Sequence, residues 1–219
     1  MNHSPNSIAF LTEALVFPPV ENANSEGLLA VGGDLSADRL LVAYRNGSFP
    51  WFNEDSLILW WSPDPRMVLF PGKLKVSKSL KRTLKKNIYS VSRNRSFSDV
   101  IKKCAAAPRP GQGGTWITTA MQEAYTALHY RDIAVSYEVW KGTELVGGLY
   151  GLQLGQVFCG ESMFSTASDA SKVALVQLVR DCLANGIELI DCQVYTSHLE
   201  SLGAVEIPRK EYLQWLKRK

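Results

Sequence analysis

The chain has 219 residues, 46% of them apolar and 21% charged, with a formal net charge of +3. That is a globular composition, sized for one large domain or a medium domain beside a small one. It excludes a membrane span, because no window of about 18 apolar residues exists.

The amino terminus lacks the basic start and apolar run of a signal peptide. Cys104, Cys159, Cys182 and Cys192 form no CxxC pair, and with only three histidines no zinc-type spacing arises. No metal is expected, and a reducing cytoplasm is the expected compartment.

In chain order, residues 1–30 read mostly as loop with a short apolar piece. Gly27–Asp34 reads as a strand entering a tight turn. Ser36 is an N-cap for a helix over about 37–46, with Leu40, Leu41 and Tyr44 inward and Gly47 at its end. Trp51, Trp60 and Trp61, broken by prolines, predict rigid aromatic loops. Ser62-Pro63-Asp64-Pro65 cannot be mid-helix, so it is expected to link a small front domain (1–65) to a main domain (66–219).

A short strand Met67–Phe70 precedes a helix from about Ser79 to Asn87 with an apolar stripe of Val76, Leu80 and Leu84. On that helix Lys78, Lys81, Arg82, Lys85 and Lys86 fall at i, i+3, i+4, i+7 and i+8, one continuous basic face. A second helix is expected over 97–106, then a Pro108–Gly114 loop that is mobile or tightly shaped, then Trp116 and a helix near 120–130 with Thr119 and Gln122 as a capping box. From 133 the pattern changes to hairpins. Strands are expected over Ala134–Trp140, Glu144–Leu152 and Gln156–Phe164, with turns at Lys141-Gly142 and Gly155. A long helix over 168–185, a strand over 187–194, a short helix to Leu202, a strand near 204–207 and a helix after Pro208 complete the chain. The expected fold class is α/β (α+β): a mixed sheet with covering helices.

Charge is distributed unevenly. Residues 73–103 hold 11 of the 24 Lys and Arg against one acid, Asp99. Five cations on one helix face repel each other, and a polyanion such as nucleic acid would relieve them and release counterions. A solvated lysine-rich surface explains the same pattern. Trp51, Trp60, Trp61 and Trp116 suit stacking on an unpaired base or lining an apolar pocket, or ordinary core packing. His129 and His198 have no partnered motif, and the cysteines read as small core residues.

Strand alternation puts Glu161, Met163 and Ser165 on one face of the 156–164 segment, and Asp191 and Gln193 on one face of the 187–194 segment. Two carboxylates, an amide, a hydroxyl and a thioether then line one cleft. Glu161 and Asp191 read as a general base or a cation receptor, or as edge-strand charges facing water. P-loop, GxGxxG, HExxH and GxSxG signatures are absent. The sheet pattern is similar to that of acyl-CoA N-acyltransferases, but their pyrophosphate loop is missing before the helix at 168, which disfavours a coenzyme A donor.

The ordered set Gly27–Leu35 (GLLAVGGDL), Phe49-Pro50-Trp51, Trp60–Arg66 (WWSPDPR), Gly114–Thr118 (GTWIT), Gly147-Gly148, Gly160–Ser165 (GESMFS), Ile190–Gln193 (IDCQ) and Ser201–Ala204 (SLGA) resembles leucyl/phenylalanyl-tRNA–protein transferases over residues 7–215. The resemblance implies a small amino-terminal α/β domain and an acetyltransferase-like domain. It implies transfer of Leu or Phe, Met less readily, from aminoacyl-tRNA to proteins beginning with Arg or Lys, which marks them for N-end rule degradation. It places Trp51, Trp116, Met163 and Ser165 where the tRNA 3′ adenosine and amino-acid side chain are received, and implicates Glu161, Asp191 and Gln193 in acceptor binding and catalysis. Leu149 stands where the family has a pocket methionine. On this basis Asp191 orients or deprotonates the attacking amine, directly or through Gln193. Glu161 pairs with the acceptor's cationic terminus, and Trp116, Met163 and Leu149 form the apolar slot. Lys78, Lys81, Arg82, Lys85 and Lys86 hold tRNA phosphates. No cofactor and no membrane partner are expected, and the chain is expected to act as a monomer. Two rivals remain open: an acyltransferase using acyl-CoA or another aminoacyl-tRNA, and a non-catalytic tRNA-binding module.

Overall fold

The amino-terminal part builds a small sheet from short strands. β1 (Ala9–Leu11) pairs in parallel with β2 (Leu28–Gly32), and the order continues through β4 (Leu59–Trp61) to β3 (Phe49–Pro50). Between β2 and β3 runs α1 (Ala37–Arg45), where the expected Ser36 cap accepts from the Arg39 N–H at 3.3 Å. Of the aromatic segments expected as loops, Phe49-Pro50 and Leu59–Trp61 are strands, while Trp51 and Phe52 lie in the loop between them as expected. Pro50 is tolerated because β3 is the sheet edge, where a missing N–H removes no ladder bond. Trp60 is fully buried, and its Nε1 donates to the Gly32 carbonyl at 2.9 Å.

The computed structural model describes residues 8–108 and 115–218, so all of the Pro108–Gly114 loop except Pro108 lies outside the described residues. The chain then enters a seven-stranded mixed sheet. Its strands are β5 (Arg66–Leu69), β6 (Ser90–Arg93), β7 (Ala134–Lys141), β8 (Glu144–Leu154), β9 (Val157–Ser165), β10 (Leu189–Gln193) and β11 (Val205–Ile207). The order is β11-β5-β10-β9-β8-β7-β6. β7, β8 and β9 form the expected meander, turned at Gly142 and Gly155, which take φ of 61° and 57° that only glycine adopts freely. β10 lies parallel to β9 after a crossover helix over Ala170–Ala184. β6 was not expected, because Ser-Val-Ser-Arg is too polar to read as a strand; it survives as an edge strand against β7.

The other helices are α2 (Lys78–Lys85), α3 (Phe97–Ala106), α4 (Thr119–His129), α5 (Ala170–Ala184), α6 (Ser197–Ser201) and α7 (Arg209–Leu216). The α4 cap is Thr118, which accepts from Met121 N–H at 3.2 Å, so the box expected at Thr119 is one residue off. One apolar cluster, including Leu80, Leu149, Phe158, Leu175 and Leu178, holds α2 and α5 on one face of the large sheet. The other cluster joins Tyr44, Phe49 and Trp60 of the small sheet region to Tyr125, Tyr150, Phe164 and Tyr212 on the opposite face. The sheets separate between Trp61 and Arg66, yet this second cluster is common to both.

Two register breaks shape the site. On β9, Ser162 faces Tyr150 but Gly160 faces Gly151, so Glu161 is an extra, bulged residue. On β10, Asp191 faces Val68 and Gln193 faces Met67, so Cys192 is extra, and Gln193 takes the left-handed φ of 61°.

Candidate active site

The bulge at Glu161 overturns the expected shared face. Met163 lies opposite Leu149 and packs in the α5-side cluster, and Ser165 lies opposite Gly147 beside the start of α5. The Glu161 carboxylate goes the other way. Its Oε1 lies 2.7 Å from Tyr44 Oη and its Oε2 3.0 Å from Tyr125 Oη, and the two phenol oxygens are themselves in hydrogen-bond contact; the phenols' two protons fill two of these three contacts, and a protonated Glu161 fills the third. Burial pushes its pKa up from 4.5 to about 7, against the two tyrosine hydrogen bonds, while the nearby Asp191 charge adds to the rise. Burial and the Glu161 charge in turn push both phenols well above their ordinary range.

Asp191 pairs across from Cys159 and is fully buried. Arg66 Nε donates to its Oδ1 at 2.8 Å and Nη2 to its Oδ2 at 2.7 Å, a bidentate pair. Tyr212 Oη donates to Oδ2 at 3.0 Å, and the Gln193 N–H donates to Oδ1 at 3.0 Å. Burial works against the Arg66 charge, but Asp191 outweighs it and holds the guanidinium protonated. The Cys192 bulge also breaks the expected Asp191–Gln193 face. Both Asp191 oxygens thus accept hydrogen bonds from within the protein, and Asp191 and Gln193, whose Nε2 lies 3.5 Å from the Asp191 carbonyl, both line the cleft. Burial with the neighbouring charges of Asp191 and Glu161 raises the Cys159 thiol well above its ordinary range. The two carboxylates thus lie near each other, close to the cleft.

That cleft has two parts. An apolar recess of about 240 Å³ is walled by Leu69, Leu149, Phe158, Met163, Leu175, Leu178 and Ile190. A vestibule of about 310 Å³ is walled by Phe49, Pro50, Trp51 and Trp116. Glu161, Ser162, Met163, Cys192, Gln193, Thr196 and Leu199 line both, so the two are continuous. Trp51 is placed by its neighbour: Trp61 Nε1 donates to its carbonyl at 2.7 Å, and the rings tilt together at 6.0 Å.

The structure therefore brings together Trp51, Trp116, Leu149, Glu161, Met163, Asp191 and Gln193. It does not bring in Ser165, whose hydroxyl donates to Ala167 O at 2.7 Å and accepts from Ser171 N–H at 3.3 Å. Lys78, Lys81, Arg82, Lys85 and Lys86 are exposed on and just after α2, and among the described residues none forms an ion pair. Thr83 donates to Asp169 at 3.0 Å, which sets this helix beside the start of α5. Among the described residues no group of three or more His, Cys, Asp or Glu is placed to hold a metal ion.

Sequence reasoning missed four residues at the site: Arg66, Tyr44, Tyr125 and Tyr212. A buried phenol needs a partner, and Tyr44 faces inward on its helix, while Arg66 closes the Trp60–Arg66 motif; the sequence carries these two signals.

The description "Leucyl/phenylalanyl-tRNA protein transferase" fits residues 68–217, and the amino-terminal domain of the same family fits residues 33–64. A protein of Syntrophobacter fumaroxidans named leucyl/phenylalanyl-tRNA–protein transferase is 58% identical over 94% of this chain and 88% of its own length. One of the same name from Flavobacterium johnsoniae is 54% identical over 96% of this chain and 99% of its own. Among solved structures, L-PGS from Bacillus licheniformis superposes with a TM-score of 0.47 at 8% identity over 71% of this chain and 66% of that one, a likeness too weak to bear on function. A site that joins an apolar recess to an aromatic vestibule, on a chain matched along nearly all its length, leads to one conclusion: the chain belongs to the leucyl/phenylalanyl-tRNA–protein transferase family.

Proposed function

We propose that this protein transfers leucine or phenylalanine, and methionine less readily, from aminoacyl-tRNA to the α-amine of proteins beginning with Arg or Lys. The observation that carries this reading is the continuity of recess and vestibule. An aliphatic or aromatic side chain fills the recess, while the terminal adenosine stacks at Trp51 and Trp116. The ester carbonyl then lies at the junction, beside Glu161 and Gln193. Residues 1–65 supply Tyr44, Phe49, Pro50 and Trp51, and residues 66–219 supply the rest, which gives the two-domain division a role.

The donor ester is already activated. The acceptor amine attacks its carbonyl carbon, the tetrahedral adduct collapses, and the C–O bond to the ribose breaks as that oxygen takes a proton. The amine has a pKa of about 8, so a fraction is already neutral at physiological pH, and the proton it gives up is the one the ribose oxygen takes; Glu161, held by Tyr44 and Tyr125, contributes negative charge that draws the acceptor's cationic terminus to the junction. Asp191 acts through Gln193. Orientation of two reactants is worth roughly 7–11 kcal/mol, against about 3–5 for acid–base help, so placement dominates. The exposed cations of α2 hold the acceptor arm by its phosphates without reading sequence. The products are marked for N-end rule degradation, and the enzyme works as a cytoplasmic monomer.

Labelled leucine offered on tRNA, beside labelled acetyl-CoA, with an Arg-initiated peptide tests this. Label reaches the peptide from Leu-tRNA only; transfer of the acetyl group instead contradicts it, and tRNA binding without transfer leaves only a binding module.

A further inference from the structure

Gln193 holds a backbone conformation that costs a non-glycine residue about 1–2 kcal/mol, at a break in strand register. Something must hold it there. Its N–H donates to Asp191 Oδ1, and that oxygen is itself fixed by Arg66 Nε, while Arg66 Nη2 and Tyr212 Oη fix the other. Arg66 is clamped in turn. Its guanidinium lies 4.8 Å from the Phe49 ring centre and 4.5 Å from that of Tyr212, and Nη1 donates to the Gly47 carbonyl at 3.3 Å. Gly47 is where α1 meets α7: a Cβ there would stand 2.6 Å from Leu213 Cδ2.

Stability alone is a weak reason for this arrangement. A buried ion pair is often no more stabilising than apolar residues of the same volume, although removing one partner is costly. A fixed position for the next residue but one is a better reason.

We infer that Arg66 and Tyr212 are positioning residues for the transfer step: through the Asp191 carboxylate they hold the Gln193 backbone so that its side chain stands at the junction of recess and vestibule. This rests on the proposed aminoacyl transfer. It also gives the last residue of the Trp60–Arg66 motif a task, and makes the carboxy-terminal helix part of the active-site support.

Tyr212→Phe keeps the ring over Arg66 and removes one donor to Asp191. kcat for leucine transfer falls roughly tenfold, less than the hundredfold of a 1 Å misplacement, while the donor KM and tRNA affinity stay at wild-type values. In single-turnover measurements on Gln193→Ala, adding Tyr212→Phe produces no further loss, because both act through one group. Amide hydrogen exchange at Gln193 rises in Tyr212→Phe; this readout stands even if Gln193→Ala has no measurable rate. Arg66→Lys behaves in the same way and serves should Tyr212→Phe not fold. Additive losses, a raised donor KM with unchanged kcat, or unchanged exchange at Gln193 overturn the inference. Absence of transfer by the wild-type protein would instead overturn the proposed function.

Discussion

Glu161 allows a quantitative test that needs no substrate. Its pKa is 4.5 when exposed and about 7 in the fold. The native state therefore retains a proton that the unfolded chain releases between those values. The sign follows: the raised pKa makes the wild type most stable, relative to a non-titrating variant, below pH 4.5. That advantage declines as pH rises to 7 and is flat above it. At 1.36 kcal/mol per pKa unit the whole change is about 3 kcal/mol. Glu161→Gln keeps the shape and removes the titration. Urea unfolding of both proteins from pH 4.5 to 8 gives the difference directly, and it moves in the variant's favour by about 3 kcal/mol across that range. A difference that stays flat with pH means that the carboxylate titrates at its ordinary value and is not sequestered between Tyr44 and Tyr125, and the reasoning fails.

Three further outcomes are expected. Replacing Lys81, Lys85 and Lys86 together by Ala weakens tRNA binding and flattens the slope of log K against log salt by about 0.7–0.9 per lost phosphate contact; an unchanged slope removes α2 from the interface. Trp116→Ala raises the donor KM by roughly tenfold, the value of one lost base stack of about 1–3 kcal/mol, and leaves the acceptor KM in place when both are measured separately. Leu149→Met is nearly volume-neutral and changes stability by less than about 1.5 kcal/mol, but it alters the ratio of Phe to Leu transfer in a competition assay; an identical ratio means Leu149 does not touch the side chain.

Much of this fold was legible because local signals were strong. The α3 bounds of 97–106 and the turns at Gly142 and Gly155 follow from apolar periodicity and from glycines where φ must be positive. Thr118 and Thr119 are chemically the same cap, so pattern alone cannot choose between them. The two bulges were invisible: one extra residue leaves no mark on composition, yet it reverses the face that Glu161 presents. Trp51, Trp116, Leu149, Met163 and Gln193 line one cleft, whereas the Ser165 hydroxyl is turned to the Ala167 carbonyl. What no sequence pattern carried was the partners of the carboxylates. Arg66 reaches Asp191 across 125 positions, and Tyr44 reaches Glu161 across 117, from different elements. Local spacing cannot encode such pairs; only the assembled core brings them together.

The most direct measurement is transfer of labelled leucine from Leu-tRNA to three peptides that differ only in their first residue: Arg, Lys or Ala. The account predicts labelled product with Arg and Lys and little with Ala. Equal labelling of all three, or none of any, contradicts it.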